Sequence, residues 1–193
     1  MNNSLRAWIF RLLVIIISGI MVLLWLNPWW SCDFDGIGTE VVSIYPWGLD
    51  MTKMGQLASI IEDANMPAWF KPFMWVFLGL CIVSLLVSLF VKEKIIKFKR
   101  IKISIPNLLI ALVGIAMTCV VVVMIIFAAI RTGDFWGMKL IGATFISLGY
   151  PAEGTAHGYL RAWYWIACGT AFILIVLALL RNKIIGINPY SSD

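Results

Sequence analysis

Charge is what this sequence has least of. Only 13% of its 193 residues are Asp, Glu, Lys or Arg, 62% are hydrophobic, and mean hydropathy is +0.95. Soluble domains carry about 25% charged residues, so a water-soluble fold and a disordered chain are both excluded. Histidine occurs once, at His157, which excludes a bis-histidine haem site within the chain. The four cysteines form no C-x-x-C pair, and Cys32 alone lies outside the apolar segments, so the pattern of a membrane thiol oxidase passing electrons to quinone is missing. There is no internal repeat, low-complexity tract or separate soluble domain, and the length suits one domain spanning 1–193.

What is present is long apolar segments. A hydrocarbon core of about 30 Å needs roughly 20 helical residues, and four stretches meet that requirement, at about 8–30, 69–91, 105–130 and 159–180. Arg6 and Arg11 ahead of the first could suggest a cleaved signal, but the run ends in Leu26-Asn27-Pro28-Trp29-Trp30 without a small-x-small cleavage pattern, so it reads as a retained span. Arg11 then lies in the first turns and reaches back to the headgroups. The expected fold is an all-α integral membrane protein, an antiparallel four-helix transmembrane bundle with a partly folded first extracytoplasmic loop.

Loops rich in Lys and Arg stay on the cytoplasmic side. The N-terminus, the linker 92–104 and the C-terminal tail hold ten of the fifteen cations and only Glu93 and Asp193 of the acids, a balance near +8 against −3 for the remainder. Both termini are therefore expected in the cytoplasm of a plasma or inner membrane, with outer loops at 31–68 and 131–158. The basic excess reports topology and attraction to anionic lipid rather than nucleic-acid binding. The linker Lys92–Lys102 reads as a solvated cytoplasmic turn, with a lipid or partner dock as the alternative.

In the first outer loop, Thr39–Tyr45 is β-branched enough for a strand or hairpin, stopped by Pro46 and Gly48. Met51, Met54, Leu57, Ile61 and Ala64 then recur at helical spacing, which predicts an amphipathic helix packing on the protein's own spans or forming a partner groove. In the second outer loop, Trp136–Tyr150 is apolar but too short to span and reads as re-entrant or interfacial. Pro151 suits a helix first turn, so the fourth helix is expected to begin near it, with Glu153, His157, Arg161 and Trp165 on one face by their spacing of four. Inside the membrane, Gly19, Gly79, Gly114 and Gly169, with neighbouring Ser, Thr and Ala, mark expected close helix contacts.

Reactive chemistry is sparse. No Asp, Glu, His or Lys lies deep in a span, which argues against a transporter acting alone. Cys81, Cys119 and Cys168 fall near the middles of three spans. They read as small packing residues, the sharper alternative being a soft-metal site, such as Cu(I), with Met117. Asp33-Phe34-Asp35-Gly36 matches the start of a calcium loop, but Val42 stands where the closing glutamate belongs, so a turn held by aspartates is expected. Glu153, His157 and Arg161 form either a hydrogen-bonded surface cluster or a site for an anionic or metal-bearing ligand. No cofactor is expected.

Aromatic placement is the clearest asymmetry. Of ten tryptophans only Trp8 lies near the cytoplasmic side. Part of the excess is an interfacial belt, and its one-sidedness points to a docking surface that includes Trp29, Trp30, Trp47 and Trp136. The layout of Pro28-Trp29-Trp30, the strand-like Thr39–Tyr45, Trp47-Gly48-Leu49 and the Met51–Ala64 helix resembles the claudin-like tetraspan families in topology. Those families place a disulfide-forming cysteine pair in that loop, where this sequence has only Cys32. The sequence thus predicts a non-catalytic membrane subunit or scaffold that contacts the bilayer and other membrane subunits or further copies of itself. The alternatives are a small enzyme or carrier for a hydrophobic substrate at the outer leaflet, or a self-assembling channel.

Overall fold

The computed structural model describes residues 3–35, 38–52, 66–91, 95–98, 101–147 and 153–185. Four helices dominate it: α1 (Asn3–Leu26), α2 (Phe70–Phe90), α3 (Ile105–Trp136) and α4 (Ala162–Ile185). Each contains a segment long and apolar enough to cross a membrane. The shortest, with 21 residues, rises about 31 Å at 1.5 Å per residue, which matches the hydrocarbon thickness. Phe90, Leu179, Phe172 and Leu80 project from the helices with more than half of their surface exposed. Water tolerates such surfaces poorly and lipid solvates them, so the chain is a multi-pass membrane protein. β-branched runs such as Val120–Val123 remain helical because a helix satisfies its own backbone hydrogen bonds.

The all-α expectation is corrected by seven strands: β1 (Trp30–Phe34), β2 (Gly38–Tyr45), β3 (Gly48–Asp50), β4 (Ile95–Phe98), β5 (Ile101–Ser104), β6 (Gly142–Ser147) and β7 (Glu153–Leu160). Five form an antiparallel sheet in the order β3-β2-β1-β7-β6. The strand expected at Thr39–Tyr45 lies in β2. The re-entrant segment expected over Trp136–Tyr150 is instead the end of α3 followed by β6, whose Thr144-Phe145-Ile146 favours a pleated surface. Helix α4 begins at Ala162 rather than near Pro151, because Gly154, Thr155 and Gly158 are poor helix formers and the segment pairs as β7. The basic linker contains the hairpin β4–β5, with Ile96 opposite Ile103 and Lys97 opposite Lys102. Most of the amphipathic helix expected over Met51–Ala64 lies outside the described residues.

Two compact units are distinguished. The first comprises Met1–Leu23, Phe77–Cys119 and Ala167–Asp193. Its core includes Phe10, Val14, Leu85, Ile110, Met117 and Leu174. A Cβ on Gly114 would fall 2.9 Å from Ile175 Cγ1 and 3.1 Å from Ile175 N, so α3 and α4 approach backbone to backbone there. Gly19, Gly79 and Gly169 have nothing within 4 Å of the corresponding point, so they do not mark helix contacts. Ser18, Ser88 and Thr118 donate their hydroxyls to carbonyls of their own helices, which satisfies them without a neighbour.

The second unit comprises Leu24–Val76 and Val120–Ile166 and holds the five-stranded sheet. Alternation along the strands puts Trp30, Cys32, Phe34, Val42, Ile44 and Ala156 in the interior. Trp29, Trp30 and Ile44 meet Met124, Ala128 and Tyr164 around a void of only about 10 Å³, so the sheet is close-packed on this part of α3 and α4.

Candidate functional site

The site predicted from tryptophans is mostly a structural junction. Helix α1 stops at Leu26 because Pro28 cannot continue it, leaving its last carbonyls without partners in the helix. Trp29 Nε1 donates to Leu24 O at 3.0 Å and Trp47 Nε1 donates to Trp25 O at 2.8 Å, so two indoles cap the helix. Trp30 Nε1 donates to Leu140 O at 2.6 Å. Trp29 and Trp30 are 2% and 1% exposed, which places them in the interior. Trp29 also meets Trp25 and Tyr164 edge to face at 6.3 and 6.2 Å. Trp47, half-buried, stacks on Tyr45 with centroids 4.8 Å apart, and Lys71 Nζ lies 4.4 Å from its ring centre. Part of the one-sided aromatic excess is thus core. Trp69 and Trp165 remain exposed, as an interfacial belt requires. Of Trp136 and Glu153 only the backbone is described, at the end of α3 and opposite Ser147 at the start of β7.

A polar cluster gathers instead across β2, β1 and β7. Register places Asp33 opposite His157 and Ser31 opposite Tyr159. Tyr159 Oη donates to Asp33 Oδ1 at 3.1 Å, and the Glu40 backbone N–H donates to the same oxygen at 2.7 Å. Glu40 stands at an irregularity in the β1–β2 pairing with φ of 52°, a left-handed conformation uncommon for a residue with a side chain. Its carboxylate pairs with Arg161 Nη2 at 2.5 Å, and Arg161 Nη1 lies 3.5 Å from Tyr159 Oη. His157 Nε2 is 3.8 Å from Asp35 Oδ2.

His157, Tyr159 and Arg161 share a side, but for a different reason from the one predicted. They alternate along extended backbone, with Arg161 N–H donating to Trp29 O at 2.9 Å just beyond β7, whereas Trp165 belongs to α4. Sequence reasoning missed Glu40 and Tyr159 because nothing local marks them. Their role arises from pairing segments more than a hundred residues apart.

The electrostatics are those of a closed network. Burial, the hydrogen bond to Asp33 and that residue's charge raise the Tyr159 hydroxyl above the ordinary tyrosine range. Tyr45 is likewise raised, by burial first and then by Asp50 and Glu40. Burial, reinforced by the Asp33 charge, pushes the Cys32 thiol up to about 12, and a backbone hydrogen bond from His157 opposes the shift only in part. A thiol so placed stays protonated near pH 8, which disfavours it as a nucleophile. Cys32 should therefore resist maleimide in the folded protein at pH 8 and react fully once the chain is unfolded. Rapid labelling of the folded state, measured with Cys81, Cys119 and Cys168 replaced by Ser, would contradict this placement.

Those three cysteines do not assemble a centre. Cys81 is buried, Cys168 half-buried and Cys119 exposed, and none is disulfide-bonded. Among the described residues no group of three or more His, Cys, Asp or Glu could hold a metal ion. The Asp33–Glu40–Tyr159–Arg161 cluster pairs its own donors and acceptors and ties three strands together. The Glu40–Arg161 pair keeps about a third of each side chain open to solvent, and solvent-screened pairs contribute about 0.2–1 kcal/mol, so its value lies in fixing register more than in stability. Comparisons with protein-family models, with curated proteins and with solved structures found no match.

Proposed function

We propose that this chain is a non-catalytic subunit or scaffold of a plasma or inner membrane, with both termini cytoplasmic and the five-stranded sheet extracytoplasmic, where it docks partner membrane proteins. The orientation rests on the concentration of Lys and Arg in the termini and the 92–104 linker. The observation that carries the docking role is strand β6. Among the described residues it ends the sheet order, runs for six residues as Gly-Ala-Thr-Phe-Ile-Ser, and has Phe145 69% exposed and the preceding Ile141 59% exposed. Edge strands that must stay alone are commonly blunted by Lys, Pro or a bulge, and β6 contains no Lys or Pro. Such an edge suits addition of a strand from another chain, with apolar side chains completing the contact. The closed polar cluster and the suppressed Cys32 thiol supply no activated nucleophile, which favours binding over catalysis.

The test is purification in mild detergent. The native chain should elute in a larger assembly, and Ile141→Lys with Phe145→Lys should release it as a lone chain with unchanged helix content and thermal midpoint. An assembly that survives the double substitution defeats the role given to β6. A native chain that purifies alone and turns over a hydrophobic small molecule defeats the subunit reading in favour of an enzyme or carrier.

A further inference from the structure

The hairpin β4–β5 lies in the first unit, between two helices of membrane-crossing length. Helix α2 ends at Phe90, with four residues between it and β4, and β5 passes into α3 with no residue between Ser104 and Ile105. Ser104, at that junction, is buried. A strand of four residues extends about 14 Å, so the whole hairpin stays within reach of the lipid headgroups beside the start of α3.

Pairing register divides its residues by chemistry. Ile96 stands opposite Ile103 and Phe98 opposite Ile101, so the alternation of a strand assigns all four to one face. Lys97 stands opposite Lys102 on the second face, beside Ile95 and Ser104. Like charges directly opposite destabilise a strand pair, and a two-stranded hairpin is marginal in water by itself. The surrounding sequence sharpens the conflict, because residues 91–104 contain six cations and one acid, Glu93. An apolar face backed by a cationic one is the pattern of an element that lies in the plane of a bilayer interface. A soluble polyanion would answer the charge but leave the apolar face in water, whereas an anionic bilayer surface answers both.

We propose that the β4–β5 hairpin docks on anionic phospholipid at the membrane surface. Ile96, Phe98, Ile101 and Ile103 enter the boundary between headgroups and acyl chains, and Lys97 and Lys102 reach the surrounding phosphates along their apolar stems. The tether to α2 and α3 holds the hairpin at that depth on whichever side of the membrane the linker lies. This role is independent of the docking role given to β6.

The full chain can be reconstituted in nanodiscs of phosphatidylcholine, with or without phosphatidylglycerol in both leaflets, and its amide hydrogen exchange compared. Phosphatidylglycerol should slow exchange over 95–104 about tenfold, and high salt should remove most of that protection. Lys97→Gln with Lys102→Gln should abolish the dependence on phosphatidylglycerol while leaving the exchange of the four long helices unchanged, which checks that the variant is folded. Equal protection with and without phosphatidylglycerol, or a dependence that persists in the double variant, would overturn the proposal. Equal protection by soluble polyaspartate over phosphatidylcholine discs would assign the hairpin to an acidic protein and overturn it as well. Strand β6 is read separately in the same experiment, so failure here leaves its role untouched.

Discussion

Replacing Gly158 with alanine should destabilise the protein by about 3 kcal/mol, at the upper end of the range for overpacking a close-packed interior. The added methyl would lie 2.9 Å from Leu140 O, 3.0 Å from Lys139 O and 3.0 Å from Trp30 Cζ2. Two of those atoms are backbone and the third belongs to an indole pinned by its 2.6 Å hydrogen bond to Leu140, so no flexible side-chain end can yield. Gly19→Ala is the matching control, because nothing lies within 4 Å of its Cβ position and the helix gains propensity. Thermal and denaturant unfolding in detergent would compare the two. A Gly158→Ala protein as stable as the native one would mean that β7 does not press on Trp30.

Trp30→Ala should cost about 3–5 kcal/mol, the usual penalty for emptying a buried aromatic site. Trp30→Phe separates the causes. It keeps most of the ring volume but removes the indole donor and leaves Leu140 O unpaired, a loss of about 1–3 kcal/mol. The order of stability should therefore be native, then Phe, then Ala. Combining Trp30→Ala with Gly158→Ala should cost less than the two losses added, because the alanine methyl at 158 then faces vacated space. Additive losses would indicate that the two residues do not share a contact.

Both sites show what could be read from the amino acids and what could not. The four spans were legible because lipid imposes a long apolar run, and each helix overlaps its expected span, with ends differing by up to six residues. The strand at Thr39–Tyr45 was legible from its β-branched residues. Strand β7 was not, because spacings of four among Glu153, His157 and Arg161 also fit a period of two, and Pro151 suggested a helix start. Gly158, a poor helix former, is the place in β7 where backbone and an indole pass close by. Trp29 and Trp30 were misplaced for a chemical reason. The same amphipathic ring that suits a membrane interface can turn inward and donate its one N–H to an orphan carbonyl, and composition does not distinguish the two. The Glu40–Arg161 pair depends on a register set by non-local pairing, which no local pattern encodes.

Strand β1 sits between β2 and β7, and this has a bearing on how the protein is made. Asp33 and Tyr159, which meet in the finished sheet, are 126 residues apart in the chain. While the ribosome is still producing the intervening segments, the early ribbon of β1 and β2 has one side unclaimed and the apolar Phe34 without its later neighbour Ala156. Closure of the sheet is thus a late event in biogenesis, paced by delivery of the last third of the polypeptide rather than by the quick local hairpins. A nascent chain stalled before β7 carries an open template for another polypeptide's strand on the free side of β1.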